Sequence, residues 1–117
     1  MSKSLRIFIS QPMAGRSDEE IERTRQLVKD AATKVFDVDR IIEIPKRPEW
    51  QVKSNPPVMN LGRSIEDLSR ANVVIFSPGW NETRGCQVEH LVCELYKISY
   101  IEFDENFEVV SSYGRVD

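Results

Sequence analysis

Apolar and polar positions along the chain follow two rhythms, and the changes of rhythm mark the elements. Leu5-Arg6-Ile7-Phe8-Ile9-Ser10 is rich in β-branched and aromatic residues and reads as a first strand, closed off by Pro12. Gln11-Pro12-Met13-Ala14-Gly15-Arg16 has the composition of a turn. Ser17-Asp18-Glu19-Glu20 sets a Ser three residues ahead of a Glu, a capping box, with acids in the first helical turn. Ile21, Val28, Ala31 or Ala32, and Val35 then recur at helical spacing and predict a helix over 18–36. Ile41-Ile42-Glu43-Ile44 is a short strand stopped by Pro45. From Lys46 to Asn60 the pattern lapses, with Pro48, Pro56, Pro57 and an isolated Trp50. A loop of that length in a compact domain serves as a flap or a mobile segment, or hides a helical turn. Leu61, Ile65, Leu68 and Ala71 predict a second helix over 60–71, and a strand from Asn72 to Phe76 follows. Val88, Leu91, Val92 and Leu95 mark a third helix, amphipathic, that starts near Gly85 or Cys86, with Cys86 and Cys93 expected as small half-buried residues under the sheet. Ser99-Tyr100-Ile101-Glu102-Phe103 is a fourth strand. The tail from Asp104 to Asp117 carries a weak apolar cluster, Phe107, Val109 and Val110, which reads as a fifth strand or as an arm packing on a partner.

Strands that alternate with helices predict an α/β domain over 1–117, its parallel sheet covered on both faces. Right-handed crossovers make the expected strand order 2-1-3-4. That is a flavodoxin-like three-layer sandwich with strands 1 and 3 at the centre and the tail as an optional fifth strand. Ligands in such sheets bind beyond the carboxyl ends of the strands, where the order reverses. Here the Ser10–Arg16 turn meets the Ser77–Gly85 loop at that point.

Composition narrows the function classes. A length of 117 residues allows one core, and 40% hydrophobic with 30% charged residues fits an ordinary soluble domain. A net charge of -3 supplies no electrostatic footprint for nucleic acid or an anionic membrane. No apolar run approaches the ~20 residues that span a bilayer. The first apolar run is too short for a signal-peptide core. Cys86 and Cys93 fall on one predicted helix, with Cα atoms about 10 Å apart, too far for a disulfide. The expectation is a reduced, cytoplasmic protein.

Several chemistries drop out on motif grounds. The chain has no G-x-x-x-x-G-K-[ST], no G-x-G-x-x-G after the first strand, and no G-x-S-x-G elbow. No acidic cluster follows strand 1 or 3, as a phospho-receiver would need. What remains is Glu89 in the first turns of the third helix, with Arg16 and Arg84 nearby. Helix-start amides at Gly15–Asp18 and Gly85–Gln87 are expected to favour an anion or polar ligand in the cleft. A carboxylate facing a sugar ring can stabilise an oxocarbenium-like centre or attack it. On spacing alone Glu89 reads more readily as a helix-start acid that complements the dipole. Cys86, His90 and Cys93 share one helix face but offer no fourth ligand and no C-x-x-C pair, so no metal site is expected. Trp80 either stacks on a base or caps the core. Arg16 and Arg84 either hold a phosphate or pair with surface acids.

Three blocks carry a resemblance to a known family. They are Ile7-Phe8-Ile9-Ser10-Gln11-Pro12-Met13-Ala14-Gly15, then Leu61-Gly62-Arg63-Ser64, then Ala71-Asn72-Val73-Val74 running through Gly79-Trp80 to Arg84-Gly85-Cys86-Gln87-Val88-Glu89-His90. Over roughly residues 5–103 the chain resembles the nucleoside 2-deoxyribosyltransferase-like superfamily, in particular its short members. The resemblance implies cleavage or exchange of the N-glycosidic bond of 2′-deoxynucleosides or their 5′-monophosphates, with the catalytic Glu falling on Glu89. It implies a sugar and base pocket along Ser10 to Gly15, and a homodimer or larger assembly whose C-terminal segment completes a neighbour's site. Two positions depart from the family pattern. Phe8 stands where many relatives carry a Tyr, and Ser64 stands where active relatives carry an Asp. Asp67, one helical turn beyond Ser64, offers a carboxylate from a similar face.

Two expectations follow. The first is a nucleoside or nucleotide N-glycosidase or deoxyribosyltransferase that needs no metal or organic cofactor. Glu89 is its nucleophile or oxocarbenium stabiliser. Ser10, Gln11, Met13 and Gly15 line its pocket, Arg16, Ser77, Gly79 and Arg84 lie near phosphate or sugar, and Ser64 and Trp80 also contact substrate. The second is a nucleotide-binding sensor or sequestering protein without turnover, which Phe8 and Ser64 favour.

Overall fold

A computed structural model describes residues 4–45 and 56–114. The elements run β1 (Ser4–Ser10), α1 (Asp18–Phe36), β2 (Arg40–Glu43), α2 (Pro56–Leu68), β3 (Val73–Phe76), a 3-10 turn (Trp80–Glu82), α3 (Arg84–Tyr96), β4 (Tyr100–Phe103) and β5 (Val109–Tyr113). Most of the irregular stretch expected at 46–60, Trp50 included, lies outside the described residues, and 56–60 form the start of α2.

The sheet order is β2-β1-β3-β4-β5. β1 to β4 are parallel to their neighbours, as the alternating pattern predicts. The expected all-parallel sheet needs one correction. The tail does form a fifth strand, and it runs antiparallel to β4. A strand that follows its neighbour after a five-residue turn has no crossover with which to reverse direction, so it can only return alongside.

Period-2 alternation sorts the strand side chains between two cores. Leu5 and Ile7 of β1, Val73 and Ile75 of β3, and Ile101 and Phe103 of β4 pack with Val28 and Ala32 of α1. Val74 and Phe76 point the other way, to Leu68 of α2 and Cys93 of α3, with Phe8 and Tyr100 against them. The sheet is therefore covered by α1 on one face and by α2 and α3 on the other. All four residues of β3 are buried, as befits a central strand covered on both sides.

Local chemistry sets the element ends. Ser17 caps α1, its hydroxyl accepting from the Glu20 amide at 3.1 Å, and Asp18, Glu19 and Glu20 fill the first turn. The expected inner stripe of α1 is half right. Val28 and Ala32 are buried, Ile21 and Ala31 are half-buried, and Val35 is exposed beyond the edge of the core. α2 begins at Pro56, four residues before the predicted start, and ends at Leu68 instead of residue 71. The two prolines read as breakers, yet a proline in the first helical turn gives up only an amide that has no helical partner. Asn72 opens β3 by exchanging two bonds with Arg6, each 2.8 Å long.

α3 divides its apolar residues between the two sides. Leu91 is 51% and Leu95 67% exposed and Val88 is exposed as well, whereas Val92 is half-buried against the Leu68, Val74, Phe76 and Cys93 cluster. The buried residues of α3 are Cys86, Glu89, His90 and Cys93. Polar residues hold the inner side because each finds a partner there.

Candidate active site

The floor of the site is built where β1 and β3 end side by side. The amide of Ser77 donates to the carbonyl of Ser10 at 2.9 Å, so the ladder of the two central strands continues one step past β3. The chains then diverge, one into the Gln11–Arg16 turn and the other through Pro78 and Gly79 into the 3-10 turn. Gly79 takes a left-handed backbone, φ 84°, which a side chain would strain. The 3-10 turn delivers the chain to Thr83, the N-cap of α3. Thr83 provides no side-chain cap, so the first amides of α3 face the cleft margin without one.

Glu89 lies one turn into α3 and points back at the end of β1. The hydroxyl of Ser10 donates to its Oε1 at 2.8 Å, across 79 residues of sequence. Glu89 is 6% exposed and Ser10 2%. Burial pushes the carboxyl up from 4.5 to about 7, while the Ser10 hydroxyl pulls the other way by favouring the ionised form. Cys86, one turn before Glu89, is buried on the same side, and its thiol is also pushed up by burial.

Above this floor opens a cleft of about 770 Å³, a size suited to a small organic ligand. Phe8 and Leu61 give it apolar walls, Met13 and Ala14 form one rim, and Thr83, Arg84 and Gly85 form another. α2 contributes Asn60, Arg63, Ser64 and Asp67. Asp67 is buried and meets Arg70 Nη1 at 3.6 Å. At the far end Glu43 closes the cleft, bonded by Arg25 through Nε at 2.9 Å and through Nη2, and by Lys29 at 3.0 Å.

Of the residues singled out from sequence, Ser10, Gln11, Met13, Ser64, Arg84 and Glu89 line this cleft together. Gln11 holds its loop as well, its amide donating to the Ile21 carbonyl at 3.1 Å. Gly15, Ser77 and Trp80 are not in its wall. Gly15 sits at the exposed turn, φ 75°, and Ser77 is wholly buried beneath it. Arg16 and Gly79 line a separate, shallower hollow with Asn81, Glu82 and Glu105. Trp80 serves the core, stacked on His90 with centroids 4.1 Å apart and planes 9° from parallel. The α1 start carries its own cap, Ser17 accepting from the Glu20 amide, and three acids in its first turn, which disfavours an anion there.

Arg25, Glu43 and Asn60 are cleft residues that the sequence reading did not place there. A signal existed for two of them. Arg25 interrupts the apolar stripe Ile21, Val28, Ala32, and Glu43 interrupts Ile41-Ile42-Ile44. A charge at a position that the period assigns to the core needs a partner, and here each is the other's.

Comparison of the chain with protein-family models, curated proteins and solved structures finds no match.

Proposed function

We propose that the protein cleaves or exchanges the N-glycosidic bond of a nucleoside or nucleotide, with Glu89 acting on the anomeric carbon. The observation that carries this reading is the buried Glu89 carboxyl at the floor of a ligand-sized cleft, bonded through one oxygen to Ser10. Ser10 occupies Oε1 and leaves Oε2 for the sugar. The ionised carboxylate forms a bond to C1′, or an ion pair with it, as the C1′–N bond breaks and its electron pair leaves with the base. Water donates a proton to the departing base. A second water, or an incoming base, then attacks C1′, gives its proton to the hydroxide left by the first water, and frees Glu89 as the carboxylate. The sugar supplies the electrophilic centre, so the chemistry calls for no metal or organic cofactor.

Cleft residues support the substrate class. Asp67 brings a carboxylate to the wall where Ser64 brings none, and can accept from a base edge. Arg84 and the uncapped α3 start suit a 5′-phosphate or a sugar hydroxyl. The strand order and the two covered faces support a flavodoxin-like three-layer sandwich. The outward apolar face of α3 supports a homodimer or larger assembly, and two buried free thiols support a reducing, cytoplasmic setting.

A second reading, a nucleotide-binding protein without turnover, is favoured by Phe8 in the cleft wall, which offers no hydroxyl to Glu89. Incubation with deoxynucleosides and their monophosphates separates the two. The first reading expects free base, lost by about a hundredfold or more in Glu89→Ala. The rate should rise with pH and level off above about 7, as the carboxyl ionises. Calorimetric binding without base release, undiminished in Glu89→Ala, establishes the second.

A further inference from the structure

His90 follows Glu89 directly on α3 and is buried too, yet it plays no part in the chemistry above. Its ring is held on every side. Nε2 lies 2.9 Å from Glu102 of β4, and Nδ1 lies 2.6 Å from Glu94, one turn along α3. Trp80 stacks on one face of the ring, and Phe76 and Tyr100 close in with centroids 4.8 Å away. Each ring nitrogen thus faces a carboxylate, and the ring lies flat against the electron-rich indole.

We propose that His90 is a positioning residue, clamped between β4 and the Trp80 turn, that fixes the rotation of α3 and thereby holds the Glu89 carboxyl against Ser10. α3 has few other anchors. Its large apolar side chains Leu91 and Leu95 face outward, its N-cap makes no side-chain bond, and its apolar contacts with the core are two cysteines and the half-buried Val92. Adjacent helical residues lie 100° apart around the axis, so Glu89 and His90 straddle the buried seam like two legs. A carboxylate reaching roughly 6–7 Å from the axis moves about 2 Å when its helix turns by about 20°. Such a shift breaks the 2.8 Å bond to Ser10 and admits water to the floor. The ionisable groups facing His90 are Glu94 on its own helix and Glu102 and Tyr100 on β4, with Tyr113 of β5 stacked behind Tyr100.

The inference deepens the proposed reading, since it concerns the same carboxylate, but its test needs no turnover. The Glu89 carboxyl is followed by carbon NMR across pH in the native protein, in His90→Phe, which keeps the stack but removes both ring nitrogens, and in Glu102→Gln. If the clamp sets the position of Glu89, both variants lower its titration midpoint by half a pH unit or more toward the ordinary carboxylate value. The single histidine of the chain gives an unambiguous nitrogen spectrum, in which the Nε2 signal should move in Glu102→Gln as its 2.9 Å carboxylate partner is replaced. An unchanged Glu89 titration in a folded variant overturns the proposal. Should His90→Phe fail to fold, Glu102→Gln decides alone. A native protein that releases no base but shows the midpoint shift refutes the enzyme and keeps the clamp.

Discussion

Burial raises the proton affinity of Glu89, and that has a consequence for stability with a definite sign. The folded carboxyl keeps its proton up to about pH 7, whereas the ordinary carboxyl releases it near 4.5. Between those values the folded chain binds more protons than the unfolded one, so stability falls as pH rises through the interval and is level above it. The span corresponds to roughly 3 kcal/mol at most. Glu89→Gln removes the ionisation and keeps the shape. We therefore expect this variant to be more stable than the native chain at pH 8 by about 1–3 kcal/mol and near parity at pH 4, in urea unfolding monitored at both pH values. At this scale much of the site was legible. Ser10 and Glu89 fall where a strand ends and a helix begins, which put both at the cleft, although spacing alone favoured Glu89 as a helix-start acid. Trp80 and Arg16 stayed between two readings, because an indole or a guanidinium at a strand tip looks the same whether it meets a ligand, a histidine or solvent.

α3 shows why an element's existence is easier to read than its orientation. The period of Val88, Leu91, Val92 and Leu95 correctly marks a helix, but periodicity gives a stripe and does not say what the stripe faces. Burial of Glu89 and His90 depends on Ser10 and Glu102, and neither partner is close in sequence. The exposed stripe can accordingly be altered at little cost to the fold of one chain. Leu95→Lys should change the unfolding free energy of the dissociated chain, measured at dilution, by no more than about 0.5 kcal/mol. Leu68→Ala, at the fully buried end of α2, should lower it by about 2–5 kcal/mol. Thermal or urea unfolding of the two variants side by side checks the contrast. α2 teaches the complementary lesson. Its Pro56-Pro57 start was hidden because proline is a helix breaker inside a helix and a good starter at its first turn.

For the whole molecule, strand order was legible and the direction of the last strand was not. Three crossovers of helical length dictate parallel pairing of β1 to β4. The turn after β4 is stabilised by Asp104, whose carboxylate accepts from the amides of Asn106 and Glu108, and nothing in the weak pattern of the tail announced it. The outward face of α3 also bears on assembly. Light scattering should report more than one copy per particle, and Leu91→Asp with Leu95→Lys should shift the particle toward a single copy. A native protein that scatters as a monomer would exclude the assembly. Protection from hydrogen exchange should be graded across the sheet. β3, buried at every residue, should exchange only on global unfolding, and β5, exposed at every residue, by local opening orders of magnitude sooner.

The bond from Ser10 to Glu89 joins residues 79 apart in the chain, and that separation gives it a place in time. Closing a loop carries an entropic cost that grows with its length, so contacts between near neighbours form before distant ones. The β4–β5 hairpin needs only a short turn to close, on the order of microseconds. The floor of the cleft cannot exist until β1, β3 and α3 have all docked. Ligand-binding competence should therefore appear with the last step of refolding, which makes the appearance of the site a clock for completion of the fold.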